Sequence, residues 1–442
     1  MIYIVELINY LKFTEYKFNL KLFFVSTTFF LIFILFKKTD IFYCDAYIYW
    51  ELSKSFHSSL SISNYPLNIR GYLLPFIFSI FSLAQNKLNS NVFFYFFQAS
   101  LVSIIFLYIV PNFLKYIFNK LKINLLFILF TYLIFLIFWW RYLLFPLSDI
   151  PGLLCFYLSI IFVRKSSAYL FLSGIFLYSA INIRPSFLIC LPIFIFYIIY
   201  IKNVSIKNML FLILGFIILS IPELIINISQ KKSYSIFPNS NFGFGGSSLG
   251  IWQLKVGIFI LRYETFVNNL IRTCNGVYQK NPFVKQPNYV FISSISDYFI
   301  YIFTNYKVFI ISVFSHCVSM VTPLSNSPYI LEPLDLKIFP YLSSIVWSIS
   351  LSGFWKLRSL VKKISLEKII CLILLISPSI LGLFIGIETR FSISLYIIIY
   401  LLFVYLMQEG YKWYKDIVFY IILITIIFSH ILIMNENFAT CI

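Results

Sequence analysis

Charged residues stand beside long apolar runs in three short stretches of the chain. The stretches are CDAYIYW with Asp45, RYLLFPLSDIPG with Arg141 and Asp149, and GIETRFS with Glu388 and Arg390. A charge at membrane depth is costly unless it is paired or faces a wet cavity. A carboxylate held there can take a proton from a hydroxyl group, and a guanidinium can bind phosphate through two parallel hydrogen bonds. Each stretch is therefore a candidate functional site.

Ordinary structural roles explain part of this pattern as well. Asp149 precedes Pro151, and an acid before a first-turn proline is a common helix start. Glu388 and Arg390 can form a simple interfacial ion pair. Asp45 is harder to explain in this way, because the sequence after it, AYIYWELSKSF, predicts an amphipathic helix on the membrane surface. Such a helix would hold the acid where it can act as a base toward a substrate at the lipid-water boundary.

The composition indicates which elements must position these residues. Hydrophobic residues make up 61% of the 442 residues, charged residues only 11%, and the mean hydropathy is +0.91. Apolar runs long enough to cross a bilayer, about 20 residues each, recur along the chain. We therefore predict an all-α polytopic membrane protein. In a membrane protein, the Lys and Arg residues behind the net charge of +18 set the orientation of the helices and contact anionic lipids. No nucleic-acid partner is therefore expected.

Cysteine and histidine give no sign of a metal centre or of a disulfide framework. The seven Cys form no CxxC motif, and His57, His316 and His430 are far apart. We expect no metal and no other cofactor. The first apolar run should stay in the protein as an anchor, because no small-residue cleavage motif follows it.

Eleven spans are predicted from the apolar runs. They are 22–38, 92–110, 123–138, 149–163, 168–183, 185–201, 208–226, 339–356, 367–387, 390–407 and 417–434. Two further runs are predicted to form interfacial helices. The run at 71–84 is short, and YFIYIFTNYKVFIISVFSHCVSM is interrupted by Asn305, Lys307 and His316.

Basic residues set the expected orientation. With eleven spans, the basic residues of the short loops in the first half of the chain fall mostly on the cytoplasmic side, as the positive-inside rule requires. These are Lys115, Lys120, Lys122, Arg164, Lys165, Lys202 and Lys207. The loop 39–91, which contains Asp45, then lies outside. The chain divides into an N-terminal transmembrane module at 1–226, a large extracytoplasmic loop at 227–338, and C-terminal transmembrane helices at 339–442.

The order of these features resembles the GT-C superfamily of membrane glycosyltransferases. A first span is followed by an outer loop with an aromatic-flanked acid and by interfacial helices with YPLNIRGYLLP. PLSDIPG precedes the fourth span, a long outer loop follows the seventh, and ETRF precedes the tenth. The superfamily includes protein O-mannosyltransferases and aminoarabinose transferases, which use polyprenyl-phosphate-linked sugars. The resemblance covers the first half of the chain and the ETRF helix.

The resemblance implies a GT-C-like fold in a bacterial cytoplasmic membrane and a specific set of roles. The donor would be a polyprenyl-phosphate-linked sugar, and the acceptor an envelope glycan, a lipid or a protein outside the bacterial cytoplasmic membrane. Asp45 would be the general base, Asp149 the second acid, and Arg390, oriented by Glu388, the phosphate-binding cation. Further candidates for phosphate binding are Arg70, Arg141 and Arg184. Many relatives carry a second acid directly after the first, whereas this chain has Ala46, which favours a metal-free reaction.

Other function classes stay open from the sequence. A polysaccharide polymerase or a flippase for lipid-linked saccharides of the same pathway would have a similar composition. A secondary transporter would carry polar residues in mid-span and broken helices in corresponding halves. Glu223 beside Pro222 is an acid of that type, and no internal repeat supports the transporter.

Overall fold

The computed structural model describes most of the chain, in segments separated by short gaps. The described residues are 20–35, 42–58, 70–88, 91–118, 125–164, 167–202, 204–231, 234–238, 249–268, 273–284, 292–322, 329–330, 335–356, 365–385, 389–434 and 438–440.

Helices dominate the described residues. Four of these helices are long and apolar enough to cross a membrane, namely Val92–Ile117, Leu125–Leu144, Ile206–Gln230 and Arg390–Gln408. A bent pair raises the number to five if it forms one span. Shorter apolar helices occupy several of the other predicted spans. The structure is thus compatible with a helical membrane protein, while the figure of eleven spans stays a prediction.

The chain folds into two compact units. The first contains residues 1–238 and 359–375, and the second contains 239–358 and 376–442. The described helices of the first unit are α1 (Leu20–Leu35), α2 (Cys44–Ser58), α3 (Leu73–Leu88), α4 (Val92–Ile117), α5 (Leu125–Trp139), α6 (Asp149–Val163), α7 (Ser167–Ile183), α8 (Leu191–Phe196) and α9 (Ile206–Lys231). Those of the second are α10 (Leu249–Phe259), α11 (Ile295–Thr304), α12 (Tyr306–Val321), α13 (Asp335–Lys356), α15 (Ile393–Gln408) and α16 (Ile417–Met434). Helix α14 (Leu366–Ile380) begins in the first unit and ends in the second.

Glycines bring α7 and α9 into backbone contact in the first unit. A Cβ added at Gly174 would lie 1.9 Å from the carbonyl oxygen of Leu212, and one added at Gly215 would lie 2.1 Å from that of Phe171. Small residues allow this close approach, which is a common way for helices to associate in lipid. The two helices run parallel, so residues eight positions beyond each glycine, about 12 Å along the axis, also face each other.

Helices α2 and α3 pack through polar side chains. The hydroxyl of Ser53 donates to that of Ser82 at 2.9 Å, and the indole nitrogen of Trp50 donates to Gln85 at 2.8 Å. Three apolar side chains of α3 are exposed and recur at helical spacing, namely Phe76, Ile80 and Leu83. The amphipathic helix predicted after Asp45 is confirmed, and so is a helix in the short run at 71–84. Their position at a membrane surface stays a prediction.

A four-stranded sheet in the second unit departs from the all-α prediction. Its strands are β1 (Ile260–Asn268), β2 (Thr273–Lys280), β3 (Tyr329–Ile330) and β4 (Phe438–Thr440), in the order β3-β1-β2-β4. Strands β1 and β2 pair antiparallel, and β3 runs parallel to β1. Strands β1 and β2 are neighbours in sequence, whereas β3 and β4 come from distant parts of the chain, and no local apolar pattern indicates pairing over such distances.

The second unit also contains the bent pair, in which α11 and α12 meet at an angle of 101°. The break falls at Asn305, one of the polar residues that interrupt this apolar run in the sequence. The end of α12 is held by side chains from elsewhere in the unit. The guanidinium of Arg262, which is only 1% exposed, donates to the carbonyl oxygens of Ser319 and Thr322. A basic side chain at a helix C-terminus satisfies carbonyl groups that the helix itself leaves open.

Candidate active site

Asp45 lies in the first turn of α2 and forms an ion pair with Arg70. The guanidinium carbon of Arg70 is also 5.1 Å from the ring centroid of Tyr49. Asp45 and Tyr49 are one helical turn apart, so they share a face of α2. Helix α2 therefore supplies both the acid and the aromatic ring between which Arg70 is held.

Cys44, directly before Asp45, is part of a disulfide bond. Its φ of 46° lies in the left-handed region, which is uncommon for a residue other than glycine. The bond corrects the sequence-based expectation at this position, because a pairing between distant cysteines leaves no signal in their spacing. It anchors the residue at which α2 begins. Among the described residues, Cys155, Cys190, Cys317 and Cys371 are not disulfide-bonded.

Asp149 forms a second ion pair, with Arg184. Helix α6 begins at Asp149, as the sequence predicted for a helix start, and Arg184 directly follows α7. The exposed fraction of the side chain is 4% for Asp149 and 13% for Arg184. Removing two charges from water is expensive, and a buried pair adds little to stability compared with an apolar pair of the same volume. The pair is therefore a better candidate for a functional than for a purely stabilising element.

The turn after Arg70 is docked onto α7 and α9. The backbone N–H of Leu73 donates to the side-chain oxygen of Asn182 at 3.0 Å. The amide of Asn182 in turn donates to the carboxylate of Glu223 at 2.9 Å, and the backbone N–H of Tyr72 reaches the same carboxylate at 3.4 Å. A Cβ at Gly71 would lie 2.3 Å from the carbonyl oxygen of Asn182, so only glycine fits there.

The Tyr72 side chain closes this network. Its hydroxyl donates to the carbonyl oxygen of Leu219 at 2.9 Å. Burial raises the pKa of the Tyr72 phenol, and the nearby Glu223 carboxylate raises it further. The hydroxyl therefore stays protonated at neutral pH and remains a hydrogen-bond donor. The turn is held at both its backbone and its side chain.

This network ties the two ion pairs together. Arg70 lies two residues before Tyr72, and Asn182 lies two residues before Arg184, so the contacts of Tyr72 and Asn182 with Glu223 position both arginines. The segments that precede Asp45 and Asp149 also contact each other, since the ring centroids of Tyr43 and Phe145 are 6.3 Å apart.

Tyr72 and Asn182 are not among the site residues that the sequence predicts, and Glu223 is predicted only as an acid of the transporter type. An acid beside a proline inside a long apolar run was the available signal for Glu223. Nothing in the local sequence marks Asn182 or Tyr72, since the contacts of the turn with Asn182 and Glu223 join positions more than one hundred residues apart.

The surroundings of the other predicted site residues are described in part. The guanidinium carbon of Arg141 is 5.2 Å from the ring centroid of Trp140, in the 3-10 turn after α5. Arg390 lies in a 3-10 turn before α15 and belongs to the second unit. Glu388 lies outside the described residues. The structure thus brings Arg70 to Asp45 and Arg184 to Asp149.

No family model, curated protein or solved structure matches this chain. The described residues also contain no group of three or more His, Cys, Asp or Glu side chains that could together hold a metal ion. The chemistry of the site therefore has to be argued from its own geometry. Two carboxylates, each beside an arginine and each at the start of a helix, can provide a proton acceptor and cations for an anionic leaving group.

Proposed function

We propose that this protein is a GT-C-type membrane glycosyltransferase that moves a sugar from a polyprenyl-phosphate donor to an envelope glycan, lipid or protein acceptor. The observation that carries the proposal is the ion pair of Asp45 and Arg70 at the start of the amphipathic helix α2, linked through Tyr72 and Asn182 to the pair of Asp149 and Arg184. This arrangement supports the roles that the sequence resemblance implies for the two acids.

In the proposed reaction, Asp45 accepts the proton of the acceptor hydroxyl. The acceptor oxygen bonds to the anomeric carbon as the bond from that carbon to the phosphate oxygen breaks, and polyprenyl phosphate leaves as the anion. Attack from the face opposite the phosphate inverts the anomeric configuration. The leaving phosphate is a stable anion, so the acceptor needs the catalytic base more than the donor needs an acid.

Arginines would hold the donor phosphate. Arg70 is already positioned beside Asp45, so it can orient the carboxylate and lies close to where the phosphate must be. Arg390, with Glu388, is the further cation that the resemblance implies. Arginine suits this task better than lysine because its planar group binds phosphate through two hydrogen bonds at once.

The proposed setting is the outer face of a bacterial cytoplasmic membrane, crossed by eleven helices. The disulfide at Cys44 supports this placement of α2, because disulfides persist in oxidising compartments and are rare in the cytosol. The basic residues of the opposite loops support it through the positive-inside rule.

The substitution Asp45→Asn tests the proposal. It keeps the size of the side chain and removes the proton acceptor, so turnover should fall by about 10² to 10⁴. The matched control is Glu51→Gln, a change of the same kind on the same helix at a residue that pairs with Lys54. Cells that carry the Asn variant should accumulate polyprenyl-phosphate sugar and lose the sugar from an envelope acceptor, while the Gln variant should behave as the unaltered protein. Normal transfer by the Asn variant would exclude Asp45 as the base.

A flippase or another transporter of lipid-linked saccharides is the second candidate function. The observation that favours transport is Glu223, a buried acid beside Pro222 inside the candidate span of α9. Purified protein in vesicles separates the two functions. Movement of a lipid-linked saccharide across the bilayer with no new glycosidic bond would replace the transferase by the flippase.

A further inference from the structure

A second polar cluster lies at the other end of the first unit. Helix α6 runs from Asp149 to Val163, and the cluster begins one residue beyond its end, about 22 Å from the acid along the axis. Four segments meet there, and each contributes a charged or aromatic side chain. The members of this basic cluster are Tyr116, Arg164, Lys202, Glu367 and Lys368.

Tyr116 is the centre of the basic cluster. The guanidinium carbon of Arg164 is 3.3 Å from its ring centroid, and the ammonium of Lys368 is 5.6 Å from the same centroid. The hydroxyl of Tyr116 donates to Glu367, which also pairs with Lys202. Cation–π contacts hold the cationic groups at the ring of Tyr116. The N–H groups of these cations remain able to donate hydrogen bonds to an anion.

Positive charge is in excess in the basic cluster. Its three cations face one carboxylate, and both Arg164 and Lys202 are close enough to act electrostatically on that carboxylate, Glu367. The cluster is partly buried, with 23% of the Lys202 side chain and 31% of the Glu367 side chain exposed. Within the described part of the chain, the Nε–H group of Arg164 is buried and has no hydrogen-bond partner. A partly buried group of cations, with an unused donor on Arg164, favours a bound anion.

The backbone that carries Lys202 has an unusual form. Residues Tyr197–Ile201 form a π turn, and the backbone N–H of Lys202 donates to the carbonyl oxygen of Tyr197 at 2.9 Å. Single π turns within helices occur often at functional sites. Here the wide turn ends at Lys202, directly before the side chain that meets Glu367.

Exposed apolar side chains flank Lys202 of the basic cluster in the sequence. Tyr200 is 71% exposed and Ile206 is 83% exposed, on either side of Lys202. A ligand with a phosphate group and apolar chains would use both features, since the phosphate would meet the cations and the chains would lie along the exposed helices. A free phosphate ion would use only the first.

We propose that the basic cluster is a binding site for the phosphodiester headgroup of an anionic phospholipid from the leaflet at that end. Arg164 supplies the bidentate contact to the phosphate oxygens, and Lys368 and Lys202 add charge. The site is independent of the proposed transferase activity, because none of its residues belongs to the candidate active site.

Lipid binding by the purified protein tests this proposal. Native mass spectrometry with phosphatidylglycerol should show specific adducts that are about tenfold weaker in Arg164→Gln, the loss expected for a hydrogen bond to a charged group. Lys368→Gln should show a smaller loss in the same direction and provides a second variant if the first does not fold. Lys207→Gln is the matched control, because it removes an exposed lysine near the same end.

Two further measurements distinguish an anionic phospholipid from other phosphate-containing ligands. Phosphatidylcholine should bind more weakly than phosphatidylglycerol, and soluble glycerol phosphate at the same concentration should not compete. Competition by glycerol phosphate would overturn the lipid as the ligand. Equal losses in Arg164→Gln and Lys207→Gln, or no loss in Arg164→Gln and Lys368→Gln, would overturn the site itself.

Discussion

At the scale of residues, each acid of the candidate active site has an arginine beside it. Asp45 pairs with Arg70 in a partly exposed position, whereas Asp149 and Arg184 pair in a largely buried one. The two pairs therefore have different energetics. An exposed pair is worth little to stability, while breaking a buried pair leaves a charge without compensation.

The buried pair allows a test by a double-mutant cycle. Arg184→Gln leaves the Asp149 carboxylate buried without its cation, so the free energy of unfolding should fall by about 3 to 5 kcal/mol. The double variant Asp149→Asn with Arg184→Gln removes both charges, so it should recover much of the stability measured by thermal unfolding. If Asp149 is needed for transfer, the stable double variant should still be inactive. Full activity in that variant would limit the pair to a structural role.

Both acids could be predicted from the sequence, and Arg70 and Arg184 were among the further candidates for phosphate binding. This was possible because charge beside an apolar run is a local signal. The sequence could not pair Arg70 with Asp45, or find the contact of Asn182 with Glu223, because these contacts depend on which helices become neighbours.

At the scale of elements, the parallel packing of α7 and α9 positions the hydrogen bonds of Asn182 and Glu223 that link the two ion pairs. The glycines that let the helices touch lie eight residues before Asn182 and Glu223. The distance between the two helices at this crossing therefore determines whether the amide of Asn182 reaches the Glu223 carboxylate.

Gly174→Ala tests this dependence. The new methyl group would meet the backbone of Leu212, which cannot move aside like a flexible side chain, so α7 and α9 must separate. We expect a loss of about 1 to 3 kcal/mol in stability, typical of overpacking, together with reduced activity. Gly382→Ala is the control, because its added Cβ would have only ordinary contacts, the nearest at 3.6 Å. Equal melting temperatures for the two variants would contradict the role of the crossing.

Elements with a strong local pattern were predictable, and those made by distant pairing were not. The helix after Asp45, the helix start at Asp149 and the break at Asn305 follow from amphipathic spacing, from an acid before proline and from a polar residue in an apolar run. The pairing of β3 with β1 and of β4 with β2 could not be predicted, because these strands come from separate parts of the chain. The neighbouring strands β1 and β2 were missed because the whole segment 227–338 was interpreted as an outer loop.

At the scale of the whole molecule, orientation in the membrane is the main prediction. It follows from the distribution of basic residues and agrees with an oxidised Cys44. The positive-inside rule and the disulfide at Cys44 both bear on the same question, namely which end of the first unit faces the cytoplasm.

Single cysteines at Asn86 and Ser205 test the orientation in a background without native cysteines. Both residues are exposed, the first near the end of α3 and the second just before α9. An impermeant thiol reagent added to intact cells should label Asn86→Cys, whereas Ser205→Cys should react only after the membrane is opened. Labelling of both from outside would contradict the proposed topology.

The short length of α6 has a consequence for the surrounding lipid. Its 15 residues span about 22 Å between the ion pair at Asp149 and the basic cluster at Arg164, whereas the hydrocarbon layer of a typical bilayer is about 30 Å thick. Such a hydrophobic mismatch is relieved when the bilayer thins or when headgroups and water are drawn toward the charged ends. In the proposed membrane setting, headgroups and water would therefore lie deeper beside Asp149 and Arg164 than beside the ends of a longer helix such as α4.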